Sequence, residues 1–262
     1  MSDAALAVVD QLEPLVSAVT YKRYRRQDRF RSAGTFMDTA VSIIDSRFDA
    51  GLEQLGCWQL AQERRVLSLG CDFGPAALAF DEDRSPNGYP RYRLQSPRLG
   101  EEEYVERART NTAWLRERFA GAIRLENLNY FPTPSGAYAQ VCDPGFMGRV
   151  LEAIDAELLL DVAHALISCE NLGISPVAYF AALPLHRVRE VQISACGVVN
   201  GVVEDLHEVP GPREWQWLRW LCERAPVHYV TIEYYRDAQR LAAAYQEAAQ
   251  QLAGLAPCAS AP

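Results

Sequence analysis

Leu158 to His164 reads LLLDVAH. Three leucines in succession suit a strand buried on both faces, and the apolar run then breaks on an aspartate. Helix signals flank the run. Upstream, DPGFMGRVLEAIDAE opens with Asp143 and Pro144, an N-cap and first-turn pair, and sets Phe146, Val150, Leu151 and Ile154 at helical spacing. Downstream, SPVAYFAAL repeats the cap chemistry with Ser175 and Pro176 ahead of Tyr179, Phe180 and Leu183.

The same rhythm continues outward. AIRLENL (Ala122 to Leu128), VREVQIS (Val188 to Ser194) and VHYVTIEYY (Val227 to Tyr235) are further strand candidates. REWQWLRWLCERA and RDAQRLAAAYQEAAQQLAGL supply helices, the second with Leu241, Tyr245, Ala248 and Leu252 on one face and Gly254 at its end. Four β-α units in succession imply a parallel sheet covered by helices through right-handed crossovers. An open doubly wound sheet and a closed barrel both satisfy that pattern, and a chain of 262 residues fits one barrel of about 250. The reading is a TIM-like (β/α) barrel formed by residues 1–254 as a single domain, with its clear part from Arg65 to Gln251.

Before that the pattern loosens. RVLSLGCDFG (Arg65 to Gly74) reads as a strand, EEEYVERARTNTAWLRERF as a helix, and PRYRLQS as a strand between them. Residues 1–60 are divergent and helix-rich: ALAVVDQLEPLV and AGLEQLGCWQLAQE read as helices, AVSIIDS (Ala40 to Ser46) as a strand. The opening strands are therefore expected to be irregular or incomplete, and residues 255–262 a disordered tail.

Composition excludes several functions. A net charge of -8 argues against general nucleic-acid binding, which needs an excess of Lys and Arg. No apolar run approaches the roughly 20 residues of a membrane span, and the N-terminus has no basic signal-like region. Seven scattered cysteines form no CxxC pair, as suits reduced thiols in a cytoplasmic protein.

Parallel barrels gather their chemistry at the C-terminal ends of the strands. Glu126 and Asn127 close RLEN; Asp161 and His164 close LLLDVAH; Gln192 and Ser194 close VREVQIS; Asp205 and His207 fall in the loop after VREVQIS, in the run VEDLHEVP; Glu233 lies in VTIEYY. Burying an unpaired carboxylate costs several kcal/mol, on the order of 3–5. The chain has four histidines and few strand-end bases, so a bound metal is the economical way to neutralise these acids. Asp, Glu and His without paired thiols suit Fe, Mn or Zn.

The stretches LENLNYF, LLLDVAHALIS, VREVQIS, EDLHEVP and TIEYY resemble, in order and spacing, the C-terminal half of the multinuclear non-haem iron-dependent oxidative enzymes, a methanobactin-biosynthesis-oxidase-like family formerly called a domain of unknown function. The resemblance runs from about Ala122 to Glu247. It implies a TIM barrel with two or three irons that oxidatively remodels residues, often cysteines, of ribosomally made peptides, commonly beside a peptide-recognition partner protein. It also implies metal ligands at Glu126, Asp161, His164, Asp205, His207 and Glu233, with His164 either a ligand or the orienter of one. Gln192 stands where the family usually has a histidine, and no histidine precedes His164, although the family's early strands supply them. One to three ions are therefore expected, with Asn127 and Gln192 behind the ligands or against the substrate and no catalytic residue assigned.

Other features read more plainly. His186 and His228 precede strands, at the barrel's opposite end, and Cys196 reads as an inert thiol. Basic residues concentrate in YKRYRRQDRFR (Tyr21 to Arg31), a pattern read first as a solvated helix face and second as a grip for a phosphate, an acidic peptide or a partner. Trp215, Trp217 and Trp220 cannot share one helix face, which leaves one to cover the site mouth or an interface. The leading reading is an iron-dependent oxidative enzyme acting on a peptide or small thiol-containing substrate. Two alternatives stay open: a non-redox metal-dependent isomerase or phosphoesterase, and a degenerate, non-catalytic peptide-binding barrel.

Overall fold

The computed structural model describes residues 3–12, 14–22, 34–74, 78–84, 90–94, 99–130, 139–199 and 201–253. Seven strands pair in parallel in chain order: β1 (Ala18–Tyr21), β2 (Gly34–Ser42), β3 (Val66–Asp72), β4 (Ala122–Glu126), β5 (Glu157–Asp161), β6 (Val188–Ile193) and β7 (Tyr229–Ile232). The sheet curls into a nearly closed barrel. Phe36 of β2 and Tyr229 of β7 lie five strand positions apart, about 24 Å in a flat sheet, yet their ring centroids are 4.7 Å apart.

Helices cover the outside: α1 (Phe48–Gln54), α2 (Cys57–Glu63), α3 (Glu101–Arg116), α4 (Pro144–Ile154), α5 (Val162–Leu172), α6 (Pro176–Ala182), α7 (Pro212–Cys222) and α8 (Ala238–Leu252). Two short helices, Asp3–Ala7 and Val9–Leu12, pack against α8 and bring the chain's opening beside its closing helix. Among the described residues no helix is long and apolar enough to cross a membrane.

Local chemistry explains several boundaries. Asp143 caps α4 by accepting a hydrogen bond from Phe146 N at 2.7 Å, with Pro144 in the first turn. Ser175 holds the equivalent place before α6 but makes no side-chain cap bond. The LLLDVAH strand is shorter than its pattern suggests, because Asp161 accepts a hydrogen bond from His164 N at 2.7 Å and caps a helix that begins at Val162. His164 thus lies in a helix's first turn. Among the described residues the first 60 hold two strands, the second irregular in its pairing, beside their helices; AVSIIDS overlaps β2 only from Ala40 to Ser42, because the strand begins earlier, at Gly34. PRYRLQS contains a strand, Pro90–Leu94, but it pairs antiparallel with Leu78–Arg84 outside the barrel sheet.

The region after β6 also differs from the loop expected there. Ala195–Val199 and Val202–Glu208 form an antiparallel hairpin, so Asp205 and His207 lie on a strand. Trp215 is buried in the core, while Trp217 stacks on Phe180 of α6 at 4.2 Å and Trp220 meets Trp217 edge-on at 5.5 Å. That seam joins α6 to α7 and occupies the tryptophans that could have covered a site mouth. His186 and His228 are exposed. Nearly all of the basic segment and the tail beyond Gly254 lie outside the described residues.

Residues two apart on a strand share a face, and this stacks the barrel interior in layers. The lower layer is a polar plug centred on Arg124 and Glu190, both buried. Arg124 pairs with Glu190 at 2.6 Å and Glu157 at 3.0 Å, and its guanidinium lies over Phe36 at 4.9 Å and Tyr229 at 5.4 Å. Thr231 donates to the other Glu190 oxygen at 2.7 Å. One step up the same strands stand Asp38, Glu126 and Gln192, followed by Glu233 just past β7.

Candidate metal centre

The barrel strands and the hairpin after β6 together deliver the polar groups of the upper layer, and two of these elements are irregular near the centre. Between the pairs Asp38↔Gly70 and Ser42↔Asp72, β2 uses four steps against two on β3, an irregularity that re-aims its side chains. Gly70 gives Asp38 room, since a Cβ there would lie 2.7 Å from Asp38 Oδ1. The hairpin repeats the device between Glu204↔Gly197 and Glu208↔Ala195. Inside that irregularity His207 adopts a φ of 45°, and Asp205 accepts its N–H at 3.1 Å. Arg236 then clamps the turn through hydrogen bonds to the carbonyls of Leu206 and His207, at 3.2 and 2.9 Å.

Asn127 ties the ends of β4 and β5 together. Its amide donates to Asp161 O at 3.0 Å and accepts from Asp161 N at 2.8 Å, while its own carbonyl lies 2.8 Å from His164 Nδ1. With Nδ1 donating there, His164 turns Nε2 toward Asp205 Oδ2, 3.4 Å away. His207 Nε2 lies 3.1 Å from that same oxygen and 3.5 Å from Glu233 Oε2. Glu126 Oε1 is 3.3 Å from His164 Nδ1. Gln192 donates to Asp38 Oδ2 at 2.8 Å.

Glu126, Asp161 and His164 each offer one ligand atom within 4.8 Å of the others, a group that could hold a metal ion. Asp205, His207 and Glu233 adjoin it through the contacts above, so the six carboxylates and histidines expected from the sequence converge. Asn127 and Gln192 stand against them. The structure adds three residues that sequence reasoning missed: Lys22, Asp38 and Asp72. Lys22 Nζ contacts Asp38 Oδ2 at 2.6 Å, Glu233 Oε1 at 3.1 Å and Glu126 Oε2 at 3.7 Å. Asp72 pairs in register with Glu126 and feels the charges of Asp38 and Lys22. Asp38 and Asp72 carried the signal already used for Asp161, a carboxylate inside an apolar strand run. Lys22 carried none, because one lysine in a basic run looks like any solvated cation.

Charge balance dominates the chemistry. Six carboxylates (Asp38, Asp72, Glu126, Asp161, Asp205 and Glu233) face one ammonium and two imidazoles among the described residues. Burial pushes the carboxyls of Glu126, Asp161 and Asp72 up, with neighbouring acids reinforcing it and the cations only partly opposing it. Burial would also lift Glu233, but Lys22 and His207 outweigh it and hold that group below the usual carboxylate range. Burial works against charging His164, and Asp161, Asp205 and Glu126 overcome it, raising its affinity for a proton.

Asp161 shows most directly what the site lacks. One oxygen caps α5; the other, Oδ2, is fully buried with no hydrogen-bond partner among the described residues, as is Asp38 Oδ1. Orphaned buried carboxylate oxygens are costly, and a cation placed among them would relieve that cost. The donor set of Asp, Glu and His fits a borderline or hard divalent ion.

Residues 96–254 match the family described as "RiPP precursor modification enzyme MbnB/TglH/ChrH", RiPPs being ribosomally made and later modified peptides. The chain belongs to this family. Proteins similar to it include a UPF0276 protein of Chromobacterium violaceum, 25% identical over 195 residues that cover 73% of this chain and 68% of that protein. A UPF0276 protein of Shewanella amazonensis is 34% identical over 70 residues, covering 27% and 24%, and one of Acaryochloris marina is 25% identical over 124 residues, covering 47% and 44%. The matched stretches thus span a quarter to a half of those last two proteins. In fold the family member resembles a xylose isomerase domain protein from Alicyclobacillus acidocaldarius (TM-score 0.56, 16% identity, 97% of this chain and 94% of that one). It also resembles endonuclease IV from Thermus thermophilus (TM-score 0.52, 14% identity, 94% of each). Identities this low bear on the barrel architecture alone.

Proposed function

We propose that this chain is an iron-dependent oxidative enzyme that modifies a ribosomally made peptide, with Glu126, Asp161, His164, Asp205, His207 and Glu233 as the metal-holding residues. The observation that carries the reading is the excess of buried carboxylates around two histidines, with Asp161 Oδ2 left without a hydrogen-bond partner among the described residues. Membership in a family of peptide-modifying enzymes supplies the substrate class.

When bound, iron supplies electron transfer between dioxygen and the substrate. The chain's own residues do the rest. Asn127 fixes the relative position of Glu126, Asp161 and His164 by holding two strand ends and one ring nitrogen. The hairpin brings Asp205 and His207 over the strand ends, and Arg236 keeps it there. The Arg124 plug seals the side away from the strand ends, so substrate approaches from the strand-end face.

The carboxylate-rich donor set also suits Mn or Zn in a non-redox isomerase or phosphoesterase, the second reading. The deciding experiment measures metal in anaerobically purified protein beside a Glu126→Ala, Asp205→Ala double variant, then dioxygen uptake with precursor peptide. Stoichiometric iron in the wild type, lost in the variant, together with peptide-dependent uptake, is the expected result. Equal trace metal in both proteins would sink the metal reading, and tight binding of Mn or Zn without uptake would favour the second.

A further inference from the structure

The carboxylates of the centre are shared between two halves. Glu126 turns Oε2 toward Lys22 Nζ at 3.7 Å and Oε1 toward His164 at 3.3 Å. Glu233 does the same, with Oε1 3.1 Å from Lys22 Nζ and Oε2 3.5 Å from His207. Each glutamate bridges an ammonium on one side and an imidazole on the other. Asp38 completes the ammonium half with a 2.6 Å contact, and Gln192 donates to that same oxygen. Asp161, His164, Asp205 and His207 belong to the histidine half.

Bridging carboxylates are the usual means by which a protein holds two cations close together. Here one of the two cations is part of the chain. A lysine has three N–H donors and no acceptor, and three carboxylates surround this one. Although 48% of the Lys22 side chain is exposed, the acids that it meets are 2, 4 and 10% exposed.

Resting on the metal-binding reading above, we infer that Lys22 is a built-in cation that fills one half of a two-cation centre, so that the chain takes a single metal ion, in the histidine half. An ammonium delivers one positive charge where a divalent ion would deliver two, and it stands about 2.6–3.7 Å from oxygens that a metal would draw to about 2.0–2.2 Å. Removing it leaves Asp38, Glu126 and Glu233 as an all-oxygen pocket beside the first site. That pocket suits a second hard divalent ion.

The test counts manganese. Metal-free wild type, Lys22→Met and Lys22→Arg are titrated with Mn2+ without oxygen, bound ion per chain is measured by elemental analysis, and electron paramagnetic resonance reports magnetic coupling between neighbouring ions. The expected result is one uncoupled ion in wild type and Lys22→Arg, and two coupled ions in Lys22→Met. Lys22→Gln replaces Lys22→Met if the latter does not fold, with thermal melting as the check. One ion in both wild type and the neutral variant overturns the inference and leaves the metal reading standing, as do two ions in the wild type. No ion in wild type but one in the neutral variant supports Lys22 as the surrogate cation and overturns the metal reading. No ion in either overturns both.

Discussion

Asn127 joins two strand ends with one side chain, a task that backbone rungs perform lower in the sheet. Its two hydrogen bonds to the Asp161 backbone are buried, so Asn127→Ala orphans a donor and an acceptor. The expected loss is about 2 kcal/mol in urea unfolding of the metal-free protein, with weakened metal binding because Asp161 loses its reference point, while His164 keeps its contact with the backbone carbonyl of residue 127. At this scale the site was half legible. Asp161, Glu126 and Glu233 declare themselves because a carboxylate in an apolar strand must be compensated. Lys22 does not, because Asp38 reaches it only through the pairing of β1 with β2, and Glu126 and Glu233, far from it in sequence, only through the curl of the sheet. Asp38 was within reach of the same argument, but the strand that carries it was placed several residues too late.

Among the elements, those whose hydrophobic alternation is intact were read correctly, even where the pairing shifts register as between β5 and β6, and those whose alternation is broken were not. β4, β6 and α8 follow period-two or period-3.6 patterns and fall where those patterns put them. β2 and the hairpin after β6 each contain extra residues on one strand, which breaks the alternation that betrays a strand. Asp205 and His207 could be picked out as candidate ligands without their strand being seen, since the resemblance that marks them rests on their spacing and not on their secondary structure. The α6–α7 seam offers a control on the whole scheme. Trp217→Ala removes the ring stacked on Phe180 and is expected to cost about 3 kcal/mol in chemical denaturation while leaving metal stoichiometry unchanged. A change in metal content with that variant would tie the seam to the centre.

Across the molecule, the barrel depends on a charged plug where many barrels use apolar layers. Arg124 is buried against Glu190 and two aromatic rings, and losing it strands a buried carboxylate. Arg124→Met is expected to destabilise the fold by about 3–5 kcal/mol, measured by urea unfolding, and adding Glu190→Met to it recovers a large part of that loss because no charge is then left alone. Such layering is legible from sequence only in part. The parallel barrel follows from the β-α rhythm, but which strands meet across the interior depends on a curvature that no single segment encodes.

A vessel with a filled floor is entered from above. Because Arg124 and its partners fill the lower end of the barrel, a peptide of the kind proposed above would have no passage through it. Each position to be altered would enter and leave by the same route, so a target residue would have to reach the centre as a bend or an end of the peptide and not as part of a strand threaded through the barrel.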